Sequence, residues 1–414
     1  MRCHSCSPLR SRCGRARLSR RSRGLCGGVR GFTLVELILA VALTLTIAAS
    51  VFTLINPANG AFQSQPEAAD VQQRLRGATE AFRRDLSMAG GAPFLALGVD
   101  ETTPLLAAGV FPLRVGRIAA DVAGTFSAAR STVWSVAPDA VQARLAAPLA
   151  SASGTATFVA GAGCRSGAAS CGFQSGMTVV VLGVSGAWDL FSVSAVSGNS
   201  VTLQHNLRDA ALVHPAGDST IAEATLRSYM TKSDAAGVPR LVRYDGAGGT
   251  DVPVIDHVVD LTFEYLGDAQ PPAPVIGSDP LAPRATYGPA PPSQSSPATS
   301  YPPGENCAFT RTPSGVVVSR LAALGSGPVL VPLQPVWLTD GPWCPDAANP
   351  NRYDADLLRV RAIGITLRIE AAVDALRGPA GPLFARGGTA RGPRTVPDRM
   401  ARVVVAPRAL SLWR

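Results

Sequence analysis

Hydrophobic residues follow three different patterns along the chain. From Phe32 to Ile55 they are almost continuous, and these 24 residues carry a single charge, Glu36. At about 1.5 Å per residue, such a stretch is long enough to cross a bilayer core as a helix. Next, Val71, Leu75, Ala78, Phe82, Leu86 and Ala89 recur at the spacing of one helical face, which predicts an amphipathic helix. Asp70 with Arg74, and Glu80 with Arg84, supply i,i+4 pairs for its wet side. Beyond about Val110 the period falls to two and turn residues multiply. Strands are predicted at 177–183, 189–196 and 200–204, with a hairpin from 227–231 and 240–244. Ile255, His257, Val259, Leu261, Phe263 and Tyr265 alternate with polar residues as one long half-buried strand, and so do Ile363, Ile365, Leu367 and Ile369. A last strand is predicted near Val403.

Breakers divide these regimes. Asn56-Pro57 and Asn59-Gly60 predict a kink or break after the apolar stretch, because proline lacks the helical donor and crowds the preceding turn. Ser64 and Glu67 have the spacing of a capping box that would start a second helix, with Pro66 in its first turn. Gly90-Gly91 and Pro93 would end it. The stretch 267–305 holds eleven prolines and predicts an exposed loop, and Gly378–Gly392 predicts a mobile one. The resulting division is a basic head at 1–31, a transmembrane helical part at 32–55 and an amphipathic helix and turn at 56–93. A β-rich body at 94–266, the proline-rich loop at 267–305 and a β-rich C-terminal part at 306–414 follow. The fold class is α+β, a long N-terminal helix packed on an antiparallel β-sheet body with loop insertions.

Charge assigns sides to this plan. The formal net charge of +9 comes from the head, which has nine arginines and no acid; the rest of the chain is balanced. Arginines ahead of the span place the head in the cytoplasm and the body across the membrane. A neutral body argues against nucleic acid as a partner, even though Arg386, Arg391 and Arg394 cluster. Beyond the head, Cys164, Cys171, Cys307 and Cys344 fit two disulfides in an oxidising compartment, and pairing Cys164 with Cys171 and Cys307 with Cys344 is the simplest of three connectivities. With no C-x-x-C spacing, a zinc site is not expected.

Catalytic patterns are absent: no H-E-x-x-H, G-x-S-x-G, phosphate loop or dinucleotide fingerprint occurs. His205, His214 and His257 stand apart, and His257 falls on the apolar face of its predicted strand, as a core histidine would. Asp346, Asn349, Asn351, Asp354 and Asp356 form an oxygen-rich stretch, but the spacing is not that of a calcium loop. No enzyme activity, metal or cofactor is expected.

Glu36 is the anomaly. A carboxylate at membrane depth costs a few kcal/mol unless paired, and the span contains no Lys or Arg. Cutting the chain between Gly31 and Phe32 would create an α-amino group able to pair with Glu36 of a neighbouring copy. A secretory signal peptide is the competing reading, but the apolar stretch is longer than an h-region, contains an acid and lacks an A-x-A site.

Gly31-Phe32-Thr33-Leu34-Val35-Glu36 resembles the cleavage and methylation motif of type IV pilins and type II secretion pseudopilins. The stretches "QQRLRGATEAFRRDLSMAGGAPF", "VPRLVRYDG" and "VIDHVVDLTFEYL" look like those of PilW-type minor pilins, with GspJ-type minor pseudopilins second. The resemblance implies cleavage after Gly31 by a prepilin peptidase, recognition through Thr33, Leu34 and Val35, and N-methylation of Phe32. It further implies a Glu36 that drives filament assembly, other pilins or pseudopilins of a filament tip complex as partners, and a pilin-like fold. The protein would sit in the inner membrane by a single pass, its C-terminal body in the periplasm, and then enter a pilus or pseudopilus. The alternatives are a minor pseudopilin of a type II secretion system and a membrane-anchored extracytoplasmic binding protein or adhesin.

Overall fold

A computed structural model describes residues 32–90, 94–95, 102–103, 113–116, 126–137, 140–149, 153–159, 170–183, 188–205, 213–245, 251–271, 300–348, 352–390 and 394–411. The chain separates into two compact units, Met1–Asn59 and Gly60–Arg414. One helix, Leu34–Ser87, runs through the boundary, so the predicted break at Asn56-Pro57 is corrected. A single proline removes one intrahelical donor but leaves the surrounding bonds in place, and here the flanking turns carry the helix on. Ser64 and Glu67 therefore do not start a helix. Glu67 reaches sideways instead, its Oε1 accepting from the backbone N–H of Ala372.

Within the second unit the amphipathic reading holds. Val71, Ala78, Phe82, Leu86 and Ala89 are buried in the main core, with Leu75 packed against it. Phe82 is the centre of that face. Its ring lies 4.7 Å from that of Tyr229 and meets Phe263 edge-on at 5.9 Å. One turn on, Asp85 accepts a 2.7 Å hydrogen bond from the Tyr229 hydroxyl and lies 3.7 Å from both Arg227 and Arg243. Burial, and next the Asp85 carboxylate, push the Tyr229 hydroxyl well above its ordinary pKa. Of the two predicted helix pairs, Asp70–Arg74 forms; Arg84 turns to its neighbour Asp85 at 3.1 Å rather than to Glu80.

Three antiparallel sheets make up most of the described body. The five-stranded sheet has the order Asp251–Asp256, Pro239–Tyr244, Thr225–Ser233, Ser131–Ser135, Leu113–Val115. The six-stranded sheet has the order Gln142–Arg144, Ser219–Glu223, Thr178–Gly183, Trp188–Ser197, Ser200–His205, Ser153–Thr157. The four-stranded sheet has the order Leu330–Pro332, Val258–Asp268, Val360–Ile369, Arg399–Val405. Apart from the long run through His257, every strand predicted from alternation is found within these sheets. The predicted hairpin pairs Met230 with Val242, and Phe263 faces Ile365, which faces Val403.

The long strand through His257 is corrected. His257 has φ of 61° and divides it into Asp251–Asp256, at the edge of the five-stranded sheet, and Val258–Asp268, inside the four-stranded one. A register shift between Val258 and Asp260 then changes the alternation, so Val258 rather than Val259 is buried. His257 is accordingly not a core strand residue but a corner between two sheets.

Cys307 and Cys344 form a disulfide, while Cys171 is disulfide-bonded and buried and Cys164 lies outside the described residues. Most of the proline-rich loop (272–299) is also outside them. Its ends are ordered differently from the expectation: Gly267 and Asp268 finish a strand, and the Tyr301 hydroxyl donates to the Trp343 carbonyl at 2.9 Å. The glycine-rich segment is pinned over its described part, through Gly388 N–H to Gly378 O at 2.9 Å and Arg377 to Glu370 at 3.2 Å. It was read as loose because glycine content carries no information about those partners.

Phe82→Ala is expected to lower unfolding stability by about 3–5 kcal/mol, the usual cost of removing a fully buried aromatic ring. Arg76→Ala, on the exposed side of the same helix, should stay within about 0.5 kcal/mol. Urea unfolding of the detergent-solubilised protein compares the two, and equal effects would show that this face is not the docking face.

Candidate functional site

The N-terminal end of the long helix is the candidate site. Gly31 lies outside the described residues; Phe32 is 90% exposed and precedes the helix. Thr33 is the N-cap. Its carbonyl accepts the first helical bond from Leu37 N–H at 3.2 Å, and its Oγ1 accepts from Glu36 N–H at 3.3 Å. Glu36 answers: its Oε2 accepts from Thr33 N–H at 2.9 Å and from Thr33 Oγ1 at 3.0 Å. This reciprocal arrangement is a capping box, T-x-x-E, and it satisfies donors that every helix N-terminus leaves over.

Glu36 thus has hydrogen-bond partners within its own chain, although none of them is a cation. One carboxylate oxygen is satisfied locally, by hydrogen bonds rather than by a cation. Among the described residues the other, Oε1, accepts no hydrogen bond and no basic group lies within ion-pair distance.

Beyond Glu36 the helix is apolar on all sides. Leu34–Thr53 is apolar and long enough to span a membrane, and none of it is buried within the structure. Leu34, Val35, Leu37, Ile38 and Leu39 are each more than half exposed. The four hydroxyls of this stretch all turn back onto helix carbonyls: Thr44 to Ala40 and Ser50 to Ile47 at 2.7 Å, Thr46 to Leu43 at 2.8 Å, Thr53 to Ser50 at 2.7 Å. A segment surrounded by hydrocarbon has to satisfy its polar groups in this way, since no water is available to do so.

Elsewhere, side chains that are distant in sequence come together. Asp189 and His205 of the six-stranded sheet meet His214, which bridges to Leu149 outside its strands, with Nε2 of His205 3.1 Å from Oδ1 and Nε2 of His214 2.9 Å from Oδ2. No sequence signal linked these three; Asp189 opens a strand that was predicted, but its burial was not. Glu370 is fully buried and meets Arg377, Arg386 and, at 3.5 Å, His257 Nδ1. Burial alone would raise the Glu370 pKa, but Arg386 and Arg377 hold it below the usual carboxylate range. Arg386 is thereby committed to Glu370, not to a basic surface stripe.

The oxygen-rich stretch divides. Asn349 and Asn351 lie outside the described residues, and Asp346 accepts from Ser300 and from Ala348 N–H. Asp340, Asp354 and Asp356 bring carboxylate oxygens within 4.8 Å of one another and form the group best able to hold a metal. Two internal features already offset their repulsion. Arg359 Nε lies 2.6 Å from Asp356, and burial, reinforced by the Asp356 and Asp340 charges, pushes Asp354 up to about 7.

Comparison of this chain with family models, with curated proteins and with solved structures finds no match.

Thr33→Val is expected to cost about 1 kcal/mol of local helix stability, the ordinary worth of an N-cap. Hydrogen exchange should speed at the amides of Leu34 to Leu37 and nowhere in the body; unchanged protection there would refute the cap. Asp354 has a second measurable consequence. Its folded pKa of about 7 exceeds its ordinary 3.8, so the stabilisation it brings is complete in acid and is lost as pH rises through about 7. Thermal melts from acid to neutral pH should show Asp354→Asn losing that part of the slope, whereas parallel curves would place the titration elsewhere.

Proposed function

We propose that this chain is a non-enzymatic minor pilin or pseudopilin that is cut after Gly31, methylated on Phe32 and helps to initiate or cap a type IV pilus filament. One observation carries the reading. An acid stands five residues past a glycine, at the head of an apolar helix exposed on every side, and one of its oxygens has no partner among the described residues. Membrane insertion accounts for the exposed helix. It does not account for the acid, which a simple anchor would omit.

In this reading the head stays in the cytoplasm until a prepilin peptidase removes it. The body stands in the periplasm, where the Cys307–Cys344 disulfide is stable. Phe32 then carries a new amine, and assembly sets it against the free oxygen of Glu36 in an adjoining subunit.

The mass of the native N-terminus tests the first step, with methyl-phenylalanine at Phe32 expected and an uncut chain counting against it. Gly31→Ala should abolish maturation. Glu36→Ala should be cut normally yet fail to enter filaments; incorporation at the wild-type level would remove the proposed role of the acid.

A further inference from the structure

The six-stranded and five-stranded sheets are joined by two neighbouring crossovers. One leads from Ser131–Ser135 into Gln142–Arg144, the other from Ser219–Glu223 directly into Thr225–Ser233. Where they pass, Glu223 N–H donates to Val141 O at 2.8 Å and Ala224 N–H to Thr178 O at 3.0 Å, which fixes both chains at the seam. An open cleft of about 280 Å³ lies here, lined by Ala137, Ala140, Val141, Glu223 and Thr225 together with Met177 and Gln174 from the loop after Cys171. That loop is held by the disulfide-bonded Cys171 and by a bond from Gln174 N–H to the Met177 sulfur at 3.3 Å.

Glu223 is the one charge among the lining residues. It is half-buried, and among the described residues it has no ion-pair partner; its closest polar contact is a long 3.5 Å approach from Val141 N–H. Arg227, by contrast, pairs with Asp245 at 3.0 Å. A carboxylate left over at the end of a small-walled cleft selects for a cation. The volume lies below the range of ordinary small-molecule pockets, which suits one side chain rather than a whole ligand. Ala137, Val141 and Met177 offer apolar surface to a methylene stem, the way long basic side chains are bound when only the head is charged.

We infer that this seam cleft receives a lysine side chain of a partner protein, with the ammonium group on Glu223 and the stem along Ala137, Val141 and Met177. The inference does not depend on the filament reading. Nα-acetyl-lysine methylamide, titrated into the full-length protein in detergent and followed by NMR, should bind saturably and shift the amides of Val141, Met177 and Thr225. Nα-acetyl-norleucine methylamide, with the same stem and no charge, should bind at least about fivefold more weakly, a difference that salt reduces. Glu223→Gln should bring the lysine probe down to the norleucine level, and Ala137→Leu, which adds bulk to the lining, should weaken both probes. Absence of saturable binding, equal binding of the two probes, or unchanged binding to Glu223→Gln in a protein that melts like wild type would each overturn the inference.

Discussion

Phe82 and Asp85 lie less than one turn apart on the long helix, and they hold its second half to the sheets by different physics. Phe82 removes a full aromatic surface from water between Tyr229 and Phe263, which belong to two different sheets. Asp85 adds direction. Its carboxylate takes the Tyr229 hydroxyl and neutralises Arg227 and Arg243, so sliding the helix by one residue would leave buried charge without a partner. Ring burial supplies the larger share of the free energy and the carboxylate fixes the register.

Periodicity made most of this legible. The six apolar positions of the helix face were visible as an i, i+3, i+4 series, and all of them line the core. Alternation likewise located Thr178–Gly183, Trp188–Ser197 and Ser200–His205 of the six-stranded sheet and Val360–Ile369 of the four-stranded one, but not their short edge strands. What was not visible is everything that depends on a partner far away in sequence. Asp85 reads as one more surface acid until Tyr229 is placed against it, 144 residues on. Glu370 and Arg386 read as loop charges, and the three groups around Asp189 as unrelated.

Local rules also competed, and the wrong one won twice. Pro57 is a strong breaker in isolation, but the turns on either side supply more bonds than it removes, and the helix continues. His257 sits in a run whose apolar residues alternate in sequence on both sides, so a single continuous strand satisfied the pattern. Only a left-handed residue there lets the chain leave one sheet and enter another, and histidine is not a residue that advertises that conformation. At the N-terminus, the T-x-x-E spacing of Thr33 and Glu36 was readable by the same rule that was applied to Ser64 and Glu67. The difference is that Thr33 has a free helix end beside it and Ser64 does not.

That capping box alters the argument about Glu36. An unpaired carboxylate in hydrocarbon would demand compensation from outside, and the demand alone would then explain assembly. Here Thr33 already donates twice to one oxygen, and the helix N-terminus places its own partial positive charge beside the group. The cost of inserting the acid is therefore partly met before any neighbour arrives. In the proposed reading a subunit would wait in the membrane with its helix intact, because the cap keeps the carboxylate oriented. What a neighbour's amine would find is the remaining oxygen, held in a defined direction by the first. In the proposed reading that interaction would act through geometry as much as through charge, with Thr33 orienting Glu36 for it.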